Sequence, residues 1–305
     1  MLSLFVNVVL PVFIVAGMGY ALERRLHPPV FALNQTALYV LMPALIFTSL
    51  VKVDFTREEP LRITAFAFLL ALTMLGVALV IIRALRLDRV TGSAFMLTAA
   101  FPNLGNYGLP VMLLAFGQAG LAAGTLLLAV QSLYSITLAM LIASSSSLSV
   151  ARAAQEVARQ PIVFAVVLAL AVNFAHLEVP PSLAQALALP AQAAIPLMLI
   201  VLGMNFAGAQ GIEDGRLTTV AVFTRLALGP LVGWALASAL GIAGVARDVM
   251  IVGSAMPTAV STILTATQFN ARPRLVRDAV VATTLASIVS LTAILAILTG
   301  RMTLI

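Results

Sequence analysis

The sequence predicts an all-α integral membrane protein of ten transmembrane helices, arranged as a 5+5 inverted repeat. Three observations predict it. Apolar residues dominate the whole chain, ten segments reach bilayer-crossing length, and proline landmarks recur at a near-constant offset. Of 305 residues, 62% are hydrophobic and only 9% are charged. Mean hydropathy is +1.11. A soluble domain is about half apolar and about a quarter charged.

A spanning helix needs about 20 mostly apolar residues. Segments of that kind run over 3–22, 30–50, 61–82, 91–116, 119–143, 160–176, 183–207, 217–240, 246–268 and 275–300. In the first, the apolar run Leu4 to Leu22 precedes Arg24 and Arg25. A cleavable signal peptide has the opposite order. The order predicts an uncleaved first span with its N-terminus outside. Connections are short except Ser144 to Gln160, which holds a serine run, Arg152, Glu156 and Arg159. That composition predicts a polar linker between halves.

The halves repeat. Pro28-Pro29 follows the first span and Pro180-Pro181 the sixth, 152 positions later. Pro43 and Pro196 are 153 apart, and Pro102 and Pro257 are 155 apart. Five spans per copy is an odd number, so the second copy enters from the opposite side. Charge placement agrees. With the N-terminus outside, inner loops hold eleven arginines: Arg24, Arg25, Arg83, Arg86, Arg89, Arg152, Arg159, Arg216, Arg272, Arg274 and Arg277. Outer segments hold five basic residues: Lys52, Arg57, Arg62, Arg247 and Arg301. The excess predicts both termini outside, in the plasma (inner) membrane.

The net charge of +6 does not indicate nucleic acid, because the basic residues lie in short loops rather than one patch. The chain has no cysteine, which excludes disulfides and thiolate chemistry. His27 and His176 lie at segment ends, too few for a zinc signature. No metal or other cofactor is expected.

Two spans are interrupted at corresponding places. The first reads Phe101-Pro102-Asn103-Leu104-Gly105-Asn106-Tyr107-Gly108-Leu109-Pro110, and the second Ala255-Met256-Pro257-Thr258-Ala259-Val260-Ser261-Thr262. Proline removes a backbone donor and clashes with the preceding turn, so the helix opens there. Opened backbone at membrane depth is tolerated only inside protein or beside a watery cavity. Matched interruptions are the best sequence pointer to a transporter's binding site. Pro102 and Pro257 therefore mark the candidate site. Gly105 and Gly108 let backbone approach a ligand closely. Asn103 and Asn106 offer donors and acceptors. Each restarting helix aims its first N–H groups into the gap, which favours an anion. Thr258, Ser261 and Thr262 supply the second break in the same way.

Further candidates lie nearby. Gln131 and Tyr134 are one turn apart on the fifth span, facing either the cavity or a neighbouring helix. Arg225 is the only charge well inside a span, so it is a functional candidate by default. It could instead snorkel or cap helix carbonyls. Asn205, near the end of the seventh span, reads as interfacial. No Asp or Glu falls in the middle third of any span, which argues against an acidic proton relay. Sodium held by carbonyls and hydroxyls stays open.

At these residues the chain resembles the auxin efflux carrier family, which includes plant PIN-FORMED carriers and bacterial organic-acid carriers. Phe101-Pro102-Asn103 through Gly108-Leu109-Pro110 is similar to the family's first crossover motif. Met256-Pro257-Thr258 through Gln268-Phe269-Asn270, then Pro273-Arg274-Leu275, is similar to the second. Thr224-Arg225-Leu226 with Gly229-Pro230, and Arg159-Gln160-Pro161, resemble further family patterns. The likeness spans the chain without the long central loop of many plant members. It implies that the fourth and ninth spans cross at Pro102 and Pro257. It implies a dimerising scaffold of spans 1–2 (residues 1–51) and 6–7 with the linker (149–207). It implies a mobile transport domain of spans 3–5 (52–148) and 8–10 (208–305), moving as an elevator. It implies that Asn103 contacts a substrate carboxylate, and that Arg225, common in the family, is structural. Two positions depart from the family pattern: Ile162 replaces an asparagine, and Thr258 stands where plant members often carry glutamine.

The functional expectation is a secondary transporter of small organic anions, auxin-like or dicarboxylate. Its expected partners are that anion, the lipid bilayer and a second copy of the chain. An inside-negative potential drives anions outward by about 2.3 kcal/mol per charge per 100 mV, so import needs a coupled cation. The alternatives are an anion channel, which needs charged rings or a continuous polar path, and a receptor that binds carboxylates without moving them. No HExxH motif, paired intramembrane aspartates or serine with a membrane histidine supports an enzyme.

Overall fold

The computed structural model describes residues 2–51, 53, 58–143, 159–207 and 211–300. Most of the predicted linker, 144–158, lies outside them. The described chain is helical throughout: α1 Leu2–Leu26, α2 Val30–Leu50, α3 Glu59–Leu85, α4 Arg89–Ala100, α5 Leu109–Ala143, α6 Pro161–Phe174, α7 Pro181–Phe206, α8 Gly215–Ala239, α9 Gly244–Ser254, α10 Ser261–Gln268 and α11 Pro273–Leu298. Among the described residues, seven helical stretches are long and apolar enough to cross a membrane: α1, α2, α3, Leu104–Ser135, α7, α8 and α11. The predicted fourth and ninth spans are each cut in two. α4 has 12 residues and α9 has 11, each reaching about 16–18 Å at 1.5 Å per residue, roughly half a bilayer core.

The prolines shape the helices locally. Wide π-type turns cover Phe5–Val9, Ala37–Leu41, Leu104–Gly108 and Thr224–Leu228. Each is followed by one residue and then a proline: Pro11, Pro43, Pro110 and Pro230. A proline ring crowds the carbonyl four residues back and offers no N–H. The helix widens one turn earlier, so the residue before the proline bonds five residues back: Leu10 to Phe5, Met42 to Ala37, Leu109 to Leu104, Gly229 to Thr224. Gly117 (φ 66°, ψ −153°) interrupts α5 where the sequence separates its fourth and fifth spans. His27 and His176 both sit in left-handed backbone near helix ends.

Two sets of helices pack internally. α1 lies against α7 at very close range, because Gly19 faces the Ile200 backbone and Gly203 faces Ala16. Small residues let membrane helices approach in this way. α2 packs on α6 and α7. The second set joins α3, α4, α5, α8, α9, α10 and α11, with α9 wedged between α5 and α8. The sets meet where α2 touches α5 and the Leu104–Gly108 turn touches α7.

Candidate functional site

The two interruptions meet. α4 stops at Ala100 and leaves Phe101 extended, and α9 stops at Ser254. Pro102 and Thr258 pair as an isolated antiparallel bridge. Asn103 N–H donates to the Pro257 carbonyl at 2.8 Å, and Ala259 N–H donates to the Phe101 carbonyl at 2.9 Å. Buried backbone groups must be paired, and each opened segment finds its partners in the other.

The remaining carbonyls are taken by side chains. Arg225, fully buried, sits in the π turn before Pro230. Its Nη1 donates to Ala99 O at 2.8 Å and its Nη2 to Ser254 O at 2.9 Å. Nε and Nη2 also reach Met256 O at 3.2 and 3.0 Å. One guanidinium thus caps the C-terminal ends of α4 and α9 together, where helix dipoles concentrate negative charge. Gln131, from α5, donates from Nε2 to Pro102 O at 2.9 Å.

A cavity of about 460 Å³ opens beside this junction. Of the sequence-predicted residues, Pro102, Asn103, Gly105, Asn106, Gln131 and Ser261 line it. A Cβ on Gly105 would stand 3.1 Å from the Met198 methyl, a tight but yielding contact. Pro257, Thr258, Thr262, Tyr134 and Arg225 are not on the wall. Thr258 is fully buried; its hydroxyl donates to Thr98 O at 2.9 Å and its N–H to Thr283 Oγ1 at 3.1 Å. Thr262 turns its hydroxyl to Ala259 O at 2.6 Å. Tyr134 stands against Phe68 and donates to Ala67 O at 3.3 Å, so it binds α5 to α3. The structure therefore separates two groups. One lines the cavity; the other is bonded to backbone away from it.

Asn103 is 4% exposed and Gln131 is 7% exposed. Asn103 Nδ2 and Gln131 Oε1 are buried without a hydrogen-bond partner. Such orphans are rare and call for an explanation. The cavity also takes in Asn34, Ser132, Ser135, Gln160, Asn205 and Thr267. Sequence reasoning did not assign these to the site. Ser135 lies one turn from Gln131 on the same helical face, and that spacing was the available signal. No described wall residue is charged.

The family model described as "Membrane transport protein" matches residues 4–156 and 145–295, nearly the whole chain. No curated protein matches this chain.

Proposed function

We propose a function from the premise that this chain belongs to the membrane transport protein family, that of the auxin efflux carriers. The protein is an integral, multi-pass membrane transporter. Our reading is that it carries small organic anions as a secondary transporter, binding them where Pro102 meets Thr258. The observation that carries this reading is Asn103. Its backbone is held by Pro257 and Gly108, the residue lines the cavity, and its side-chain Nδ2 is buried without a partner. A carboxylate is the partner such a donor suits, and the helix restarting at Leu104 adds its N-terminal N–H groups.

The same reading takes the chain as ten spans in a 5+5 inverted repeat, with both termini outside and the broken helices crossing at the two prolines. α1, α2, α6 and α7 would be the scaffold, through which two copies associate. The other helices would move as an elevator. Support comes from the cavity's position between the two packing sets. α2 contributes Asn34 and Met42 and α7 contributes Met198 and Asn205, facing Asn103, Gln131 and Ser261 across the gap.

The test is flux of radiolabelled short carboxylates into proteoliposomes. Saturable exchange at carrier rates, lost in Asn103→Ala and Pro257→Ala, is expected. Unaltered flux in both variants sinks the site. Currents far above carrier turnover make the protein a channel, and binding without flux makes it a receptor.

A further inference from the structure

α3 ends in a tight reversal that turns the chain into α4. Arg86 takes left-handed backbone (φ 51°), its N–H donates to Arg83 O at 3.2 Å, and Leu87 N–H donates to Ile82 O at 3.0 Å. Glycine is the usual residue at such a helix end; here an arginine stands in its place. Asp88 then caps α4. Its carboxylate accepts from Val90 N–H, Thr91 N–H and the Thr91 hydroxyl, so both oxygens are committed to that helix.

The reversal leaves a crevice of about 390 Å³ between the end of α3, the first two turns of α4 and the end of α5. It shares no lining residue with the cavity beside Asn103. Its wall is divided. Ile82, Leu87, Met96 and Ile142 are apolar, while Arg89 and Ser93 are polar. Arg83 and Arg86 are exposed at the same end of α3, and among the described residues neither enters an ion pair. An apolar stripe leads to them. Leu72, Leu79 and Val80 are exposed along α3, and Arg83 follows Leu79 by one turn on that face.

We propose that this crevice seats an anionic phospholipid, its phosphate over Arg83, Arg86 and Arg89 and one acyl chain against Ile82, Leu87, Met96 and Ile142. Arginine in short connections is accounted for in general by topology. An apolar recess beside the arginines is not, and it suits an acyl chain rather than a free phosphate. With the termini outside, this end of α3 meets the cytoplasmic leaflet, where anionic lipid gives the surface its negative potential. Asp88 does not oppose the phosphate, because its oxygens are bonded inward and three guanidiniums outnumber it. The site is independent of which solute the protein carries.

The experiment is native mass spectrometry of the full chain in detergent, offered phosphatidylglycerol and phosphatidylcholine of identical acyl chains in equal amounts. One phosphatidylglycerol retained per chain, in preference to phosphatidylcholine, is expected. Arg83→Gln with Arg86→Gly should lower that preference about fivefold for each arginine removed. Glycine suits the left-handed backbone at 86, so the turn survives. The preference is a ratio within one sample, so a partial loss of folded protein cancels. Ser93→Phe fills the crevice without touching its charge and should lose the retained lipid. Arg24→Gln with Arg25→Gln removes equal charge at the end of α1, outside the crevice, and should leave the preference unchanged. Equal retention of the two lipids by the wild-type protein overturns the proposal. An equal loss in the α1 pair also overturns it, by showing only a diffuse basic surface. Displacement of the lipid by soluble glycerol phosphate overturns it in favour of a free-phosphate site.

Discussion

Asn103 gives its backbone N–H to the Pro257 carbonyl at 2.8 Å, which ties the first broken segment to the second. The bond is one half of an unequal exchange. Main chain pairs Asn103 with Pro257 and Ala259 with Phe101, while side chains reach two further carbonyls: Gln131 on Pro102, which Leu104 N–H also reaches, and Arg225 on Met256. Moved by the 155 positions that separate the two prolines, Gln131 falls on Ala286 and Arg225 on Leu70. The two breaks therefore share their prolines but not the groups that close them. On one side the closing group is an amide that also lines the cavity. On the other it is a guanidinium sealed from it.

Asn103→Ala removes the orphaned donor and keeps the backbone pairing. A hydrogen bond to a charged partner contributes about 1.5–3 kcal/mol, so carboxylate affinity is expected to fall by about 10- to 100-fold. Thermal melting in detergent should stay close to wild type, because no bond of the folded state is lost. Asn103→Asp should be worse for binding than alanine, since it sets a carboxylate against the ligand. Both are read by binding isotherms beside melting curves. An alanine variant that melts early with unaltered affinity would assign Asn103 to the fold alone.

The breaks were legible because proline stands out in apolar sequence and recurs at a near-constant offset. Asn103 and Gln131 have no such counterparts and stood out only as amides in apolar spans. The roles of Thr258 and Thr262 were not. A threonine hydroxyl can bond a nearby carbonyl as readily as a ligand, and only the path of the chain decides which. Arg225 was visible as a buried charge, but its partners were not, since every residue carries the carbonyl that it seeks. Asn34 and Asn205 join the cavity through packing of distant helices, which no local pattern records. The π turns follow from the X-Pro steps they precede. Yet Pro190 and Pro196 lie inside α7 without such a turn, so proline alone does not predict one.

Gly203→Val should part α1 from α7. A Cβ there would collide with the Ala16 carbonyl, which belongs to backbone and cannot swing aside. Overpacking of this kind costs about 1–3 kcal/mol. A lower melting temperature is expected, with Gly19→Val behaving alike against Ile200. Gly76→Val, where a Cβ meets nothing within 4 Å, is the control and should melt as wild type.

Acid should loosen the start of α4 through Asp88. Its carboxylate accepts from Val90 N–H, Thr91 N–H and the Thr91 hydroxyl, and these bonds hold its pKa below the ordinary 3.8. A depressed folded-state pKa stabilises above the unfolded value and loses that contribution as pH falls through the folded one. Melting temperature followed from pH 7 downward should show a steeper acid limb in wild type than in Asp88→Ala. Parallel curves would show that the cap does not couple to folding.

Arg225→Met tests whether the buried guanidinium holds the two half-helices or the substrate. The wild-type side chain makes four hydrogen bonds to three carbonyls, Ala99, Ser254 and Met256, and all four residues are fully buried. Methionine approximates the stem but leaves those carbonyls unpaired. Breaking a buried charged contact costs about 3–5 kcal/mol, and at about 2–4 °C per kcal/mol the melting temperature should drop by at least about 6 °C. Arg225→Lys keeps the charge but not the planar fork that spans two helix ends, so it should recover only part of the loss. Affinity measured on the folded fraction should change little in either variant, because the cavity wall does not include Arg225. A lysine variant that melts as wild type and no longer binds carboxylates would instead make Arg225 a substrate contact, and would move the anion from the Asn103 side of the junction to the α8 side.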